Sequence, residues 1–403
     1  MKQRMSLPYK LLGFGLSIFC IATNSLFAAD SPPVTAVPRA TCGPNDDQES
    51  ALQGQVPAYL RASGFKGFNC NLALIGQVRG DGANWQSDEF KDRAGHVCGY
   101  HGTSFSTTNR TSVGVSVVDI TDPTNPTVTT HLTTTSMLDP WESLKVNDRR
   151  QLLAADNGHN GGFGAGGPQV DFYDISTDCR SPQLLSSIAV GQADGSTGIV
   201  ATVMGHEGNW APDGLTYYGA DLRTGGGRYY AVDATDATHP KLLAFWKPSV
   251  AIPHGLSVSD DGNVGFFVAQ GGTSVAGLND PTVAPTNGLL VYDLSQIQAR
   301  LPNPQVTQIG QLLWKDGANA QHTIPVKIAG QPYLIFVDEG GSGGLSSRTQ
   351  AAGACAAGMP PFPMARIIDI SDWPSASETR HSSQTEWASN SRRRDSRPTS
   401  SCQ

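Results

Sequence analysis

Charge is scarce in this chain. Only 16% of its 403 residues are Asp, Glu, Lys or Arg, and 28 basic residues face 35 acidic ones. A formal net charge of −7 without a basic stripe excludes nucleic acid as a partner, because nothing is present to neutralise phosphates. Past the N-terminal region no apolar run is long enough to cross a bilayer as a helix, so no membrane span is expected after signal cleavage. The cysteines form no Cys-x-x-Cys pair and therefore no zinc ribbon. The glycine-rich stretch Asn157–Gly167 lacks the lysine and the following helix of a phosphate loop. No G-x-S-x-G elbow occurs, which argues against a serine hydrolase of that type.

Turn formers are abundant instead, with 45 glycines and 26 prolines. They punctuate a repeat whose clearest copy is Gly114–Pro126, GVSVVDITDPTNP. Val115, Val117 and Val118 suit a buried strand, and Asp122-Pro123 and Asn125-Pro126 stop it. Echoes stand at Gln169–Ser176, Tyr229–Pro240, Leu289–Pro304 and Arg366–Pro374. Their aspartates are Asp119, Asp174, Asp233, Asp293 and Asp369, each placed to accept from turn amides. A second repeat runs in phase with the first. His206, His254 and His322 each stand eight residues before a glycine (Gly214, Gly262, Gly330) that leads into an apolar run, and Trp141–Arg149 fits the same frame without a histidine. Each unit reads as strand, tight turn, strand, loop, Val-Asp-Ile strand, turn and fourth strand, which is a four-stranded blade. The expected fold is an all-β propeller.

The Val-Asp-Ile-(Ser/Thr)-Asp-Pro-x-x-Pro pattern, best preserved in Gly114–Pro126 and degenerate in Val291–Pro304, resembles the LVIVD repeat family of bacterial extracytoplasmic β-propellers. The resemblance covers roughly residues 72–373. It implies the propeller fold and no reaction.

Lys2, Arg4 and Lys10 precede the apolar run LLGFGLSIFCIA, with small residues near Ala28 and Ala29, as in an export signal. The expected organisation is a signal peptide over 1–29, an N-terminal extension over 30–71 with a short helix around Glu49–Ala62, the propeller over 72–374, and a Ser/Arg-rich tail over 375–403. The protein is expected to be exported: periplasmic, at the cell surface or secreted. Cys42, Cys70, Cys98, Cys179, Cys355 and Cys402 then become disulfide candidates, with fifteen pairings open. Leu72–Val78 reads as a strand, Gly80–Asp92 as a polar loop and Val97–Tyr100 as a second strand. The repeat breaks off inside a unit after Asp369. That break favours a truncated or frame-shifted sequence, incomplete at its C-terminus, over a natural disordered tail.

The three in-phase histidines are the sharpest chemical signal. Each belongs at the start of an innermost strand, where imidazoles can converge on the central channel and ligate copper, zinc or iron. Glu142 holds the corresponding place in the second unit, while Glu207 should alternate away from the channel. The competing reading makes these histidines hydrogen-bonding tethers between blades. The arrangement loosely resembles the histidine-lined channel of selenium-binding-protein-type copper propellers, an analogy of fold alone. Asp156, Asp221 and Asp338, with Gln270 at the equivalent place, end the second strands and read as turn caps ahead of calcium ligands. The leading functional expectation is an extracytoplasmic binding scaffold, for a protein or small-molecule ligand. Its binding face would be the loops around Gly158–Gly167, Gly271–Asn287 and Gly340–Pro363. The alternative is a metal-dependent enzyme, an oxidoreductase above all, using His206, His254 and His322.

Overall fold

The computed structural model describes residues 41–46, 69–78, 85–102, 112–157, 169–189, 205–222, 227–345 and 347–371. The export signal, the Glu49–Ala62 helix, the loops over 158–167 and 191–202 and the tail over 375–403 lie outside the described residues.

Alternating β-branched and aromatic residues between turn signals build five antiparallel meanders. The first sheet is β1 (Ser87–Lys91), β2 (Val97–His101), β3 (Val115–Asp119) and β4 (Thr127–Leu132); the second is β5 (Lys145–Asn147), β6 (Leu152–Asp156), β7 (Gln169–Asp174) and β8 (Gln183–Ala189). The third is β9 (Glu207–Trp210), β10 (Thr216–Ala220), β11 (Tyr229–Asp233) and β12 (Lys241–Trp246). The fourth is β13 (Ile252–Val258), β14 (Val264–Gln270), β15 (Asn287–Asp293) and β16 (Thr307–Trp314). The fifth holds three strands, β17 (Ala318–Ile328), β18 (Gln331–Gly340) and β19 (Ala365–Asp369). These are the blades of a β-propeller, and the described helices are short. None of those helices is long and apolar enough to cross a membrane.

The repeated aspartates explain why each third strand stops where it does. Oδ1 of Asp119, Asp174, Asp233, Asp293 and Asp369 accepts from the amide two residues on, at 2.8–2.9 Å in every blade. This bond turns the chain out of the ladder. In the four complete blades a bulge between the third and fourth strands accompanies it.

Apolar side chains from facing sheets fill the junctions. Tyr100, Val117, Leu153 and Tyr173 pack between the first and second blades, and Phe172, Trp210, Tyr217 and Tyr230 between the second and third. Tyr229, Phe267 and Tyr292 join the third to the fourth, and Phe266, Leu289, Leu334 and Phe336 the fourth to the fifth. Tyr229 and Phe267 meet edge to face at 4.5 Å, a geometry worth about 0.5–1.5 kcal/mol beyond area burial.

Two sequence expectations change in the first blade. Its inner strand β1 lies within the stretch read as a polar loop, because of its five side chains only Phe90 is buried and no alternation is visible. The run Leu72–Val78, read as a strand, joins none of the sheets.

Cys98 in β2 is bonded to Cys179, beyond β7, and locks the first blade to the second across 81 residues. Cys355 is disulfide-bonded too. In the N-terminal unit Cys42 is bonded to Cys70, and Asp46 Oδ2 accepts from the amides of Gly43 and Asn71, both at 2.7 Å. Disulfides of this kind suit an oxidising compartment outside the cytoplasm. Replacing both Cys98 and Cys179 by serine should cost about 3–4 kcal/mol, since so long a loop is freed in the unfolded chain. A urea midpoint unchanged from wild type would show that the bond constrains nothing.

Candidate metal centre

The register carries the inner-strand starts to the same end of each sheet as the loop between second and third strands: Glu207 faces Ala220, Ile252 faces Gln270, and Ala318 faces Gly340. The long insertions after Gln270 and Gly340 therefore rise at the end where the histidines sit.

Backbone irregularities aim those histidines. In β13, Pro253 pairs with Ala269 and Leu256 with Phe267, so His254 and Gly255 stand opposite Val268 alone. Such a bulge re-aims a side chain at the cost of ladder bonds. Tyr229 repairs that loss: its hydroxyl accepts from the His254 amide at 3.0 Å and donates to the Val268 carbonyl at 2.5 Å. Gly255 is required here, because a Cβ would collide with the Gln321 carbonyl oxygen and the Glu207 carboxylate. A second bulge in β17 makes Gln321 the extra residue between Ala320 and His322.

His206 stands just before β9, and the Glu142 amide donates to its carbonyl at 3.1 Å. Trp141, ahead of Glu142, adopts a left-handed φ of 48°, and its ring lies 5.3 Å from the His206 ring. Strain of this kind in a non-glycine residue costs roughly 1–3 kcal/mol and gathers at functional sites. Trp85, half-exposed, stacks on the outer side of Trp141 at 5.6 Å.

Three buried donor atoms converge. His206 Nε2 and His254 Nε2 are 3.0 Å apart, and Glu142 Oε2 lies 3.4 Å from the first and 3.5 Å from the second. Bonds of about 2.0–2.1 Å to a tetrahedral ion put neighbouring ligand atoms about 3.3 Å apart, so the triangle has the size of one face of a coordination shell. Glu142 Oε2 is buried and makes no hydrogen bond, while its Oε1 accepts from Gln321 Nε2 at 2.8 Å.

His322 is placed differently from its two counterparts. The bulge at Gln321 sets it behind Glu207, whose Oε1 receives its Nδ1 proton in a short hydrogen bond. Glu207 Oε2 also lies 3.4 Å from His254 Nδ1, and that nitrogen is 3.0 Å from the Gln321 carbonyl. Two acceptors on Nδ1 assign the proton there and aim Nε2 at the triangle. Burial alone would lower His254, but the Glu207 hydrogen bond and the charges of Glu142 and Glu207 outweigh it and raise it to about 9. Burial likewise works against an ionised Glu207, yet His322 and His254 hold it well below the carboxylate range. His206 is lowered by burial against the pull of Glu142.

Glu207 is the residue that strand alternation misses. His206 precedes the strand, so the two neighbours are not consecutive positions on one pleat and both turn inward, 3% and 2% exposed. The second-strand aspartates are buried anchors. Tyr230 donates to Asp156 Oδ2 at 2.5 Å, and Asn287 and Trp314 donate to Asp338 at 2.7 and 3.2 Å.

No protein-family model and no curated protein matches the sequence. Solved structures similar to it in fold are β-propellers. A periplasmic gluconolactonase of Pseudomonas aeruginosa is 14% identical, with a TM-score of 0.43, over 66% of this chain and 67% of its own. A protein described as a putative 6-phosphogluconolactonase of Bacteroides fragilis is 12% identical, with a TM-score of 0.38, over 62% and 72%. TolB of Acinetobacter baumannii is 11% identical, with a TM-score of 0.31, over 63% and 52%. Likeness at this level carries no argument, and the propeller is read from the five sheets themselves. The class is thus a β-propeller with a buried two-histidine, one-carboxylate cluster at one end of its inner strands.

Proposed function

We propose that this chain is an exported propeller of the LVIVD repeat type that holds one divalent transition-metal ion on Glu142, His206 and His254 and uses it to act on a small molecule. The observation that carries the reading is Glu142 Oε2. It is a buried carboxylate oxygen with no hydrogen bond, set at ligand-to-ligand distance from two imidazole nitrogens. A cation at the triangle would give that oxygen a direct ligand bond in place of two long ion-pair contacts. Two imidazoles and one carboxylate suit zinc or non-haem iron and leave further positions open. Zinc would supply an activated water for hydrolysis, and iron a redox centre. Glu207 and Gln321 hold the ligands from behind. His322 supports Glu207 and is not a ligand in this reading.

Metal content by plasma mass spectrometry on the mature protein, beside Glu142→Ala and His254→Ala, tests it. About one ion per chain, falling below a tenth in both variants, is expected. Folded wild type that takes up no zinc or iron(II) on reconstitution would make the cluster a set of tethers and return the function to a binding scaffold. The identity of the ion then selects hydrolase or oxidoreductase screens.

A further inference from the structure

Four junctions between successive blades are filled by apolar clusters, and among the described residues the faces of the fifth and first blades that point away from their neighbours are not. On the fifth blade Ile324, Ile335 and Ile367 are cross-strand partners in one row, with Ile324 51% and Ile367 67% exposed. On the first blade the corresponding face is a hollow of about 520 Å³, polar toward the inner strands, where Ser87, Asp88, Glu89 and His101 line it, and apolar toward the outer ones, where Val118, Ile120 and Val128 line it with Val78. The isoleucine row is matched in character by that outer, apolar side. Both blades also reach one dipeptide at the axis: Gln321 bonds Glu142, and Trp85 stacks on Trp141.

Among the described residues the fifth blade has one strand fewer than the others. Elsewhere each inner strand is preceded in the chain by a fourth strand of the blade before it, across connections running from 315–317 to 190–206. Ahead of β1, across 79–86, stands Leu74-Ile-Gly-Gln-Val78. Its Ile75-Gly76-Gln77 repeats Ile309-Gly310-Gln311 of the fourth strand β16. Leu74 is 82% and Ile75 62% exposed, while Val78 already lines the hollow and Gly76 lies against the Pro123 carbonyl at the rim of the first blade.

We propose that Leu74–Val78 is the closing strand of the ring. It pairs antiparallel with the outer edge of β19 in the same chain, and its apolar side chains fill the junction between the isoleucine row and the hollow. The position needs no residue of the metal cluster, so this inference stands or falls apart from the proposed function.

Hydrogen exchange read by mass spectrometry on the full-length mature chain tests it, with Ile75→Pro alongside. Peptides covering 72–78 and 365–369 should be protected together, at least about a hundredfold over an unstructured chain. Ile75→Pro removes a ladder donor and should deprotect 72–78 and lower the protection of 365–369 to what pairing with β18 alone gives, while leaving peptides of β14 and β15 as slow as in wild type. Exchange of 72–78 at the unstructured rate in wild type would overturn the proposal. So would protection of 365–369 unchanged from wild type in the proline variant. Protection that grows with protein concentration and tracks a dimer would overturn it as well, because the strand would then come from a second copy.

Discussion

Glu207→Ala is expected to destabilise the propeller by about 3–5 kcal/mol, because it removes one partner from a buried charged network and leaves the other without its counter-ion. Glu207 is 2% exposed and serves three groups: the Nδ1 atoms of His322 and His254, and the Leu256 amide at 3.3 Å. It therefore ties the third, fourth and fifth blades together at the axis. Deleting it strips His254 of the hydrogen bond and much of the charge that hold its proton. The alanine variant should melt well below wild type, and a midpoint within experimental error of wild type would refute the account. Glu207→Gln separates support of the ligands from support of the fold. The amide keeps the volume and one acceptor, so the fold should survive. His254 loses the carboxylate that fixes its orientation, and zinc affinity by competition titration should fall about 10–100-fold. Unchanged affinity in a folded glutamine variant would show that the Gln321 carbonyl alone positions His254.

How much of this was legible in the sequence depends on the kind of signal each feature leaves. The blades were visible because a Val-Asp-Ile strand followed by an aspartate turn is a local device. Asp119 and its four counterparts bond an amide only two residues away, so the same letters recur wherever the same turn is made. The convergence of His206, His254 and Glu142 was partly visible, because a fixed place in a radial repeat maps to a fixed radius. The different fate of His322 was not. It is decided by the one-residue bulge at Gln321, which shifts register without changing the histidine's distance from its turn glycine. The role of Glu207 was hidden for a related reason: alternation holds inside a strand and fails at its first residue. β1 left no trace because an inner strand with one buried side chain among five has no period to detect.

Metal-free wild type should lose stability relative to Asp156→Asn as pH rises from about 4 to 8. Burial pushes the Asp156 carboxyl up to about 8, against the bond from Tyr230 and with the nearby charges of Asp221 and Glu207. Tyr230 donates to Oδ2, and Oδ1 is buried without a hydrogen bond. The sign follows from linkage. A group whose pKa is higher in the folded than in the unfolded chain contributes stability fully present below its unfolded value of 3.8, and loses it as pH climbs through the folded value of about 8. At about 1.4 kcal/mol per unit the whole span amounts to roughly 6 kcal/mol. His254, raised from 6.5 to about 9, adds a loss of the same sign over a higher window. The two windows distinguish the groups. Between pH 4 and 6 Asp156 contributes and His254 does not, and the opposite-signed contributions of Glu207 and His206 enter both proteins alike, so the urea midpoint of wild type should decline relative to that of Asp156→Asn. The His254 loss above pH 6.5 is likewise shared by the two proteins. At pH 9 the asparagine variant should be the more stable of the two, because wild type must then hold a buried carboxylate with a single donor. The measurement is a set of urea titrations at pH 4.5, 6, 7.5 and 9 with chelator present, so that metal binding does not enter. Parallel curves for the two proteins across that range would mean that Asp156 is ionised in the folded state at neutral pH.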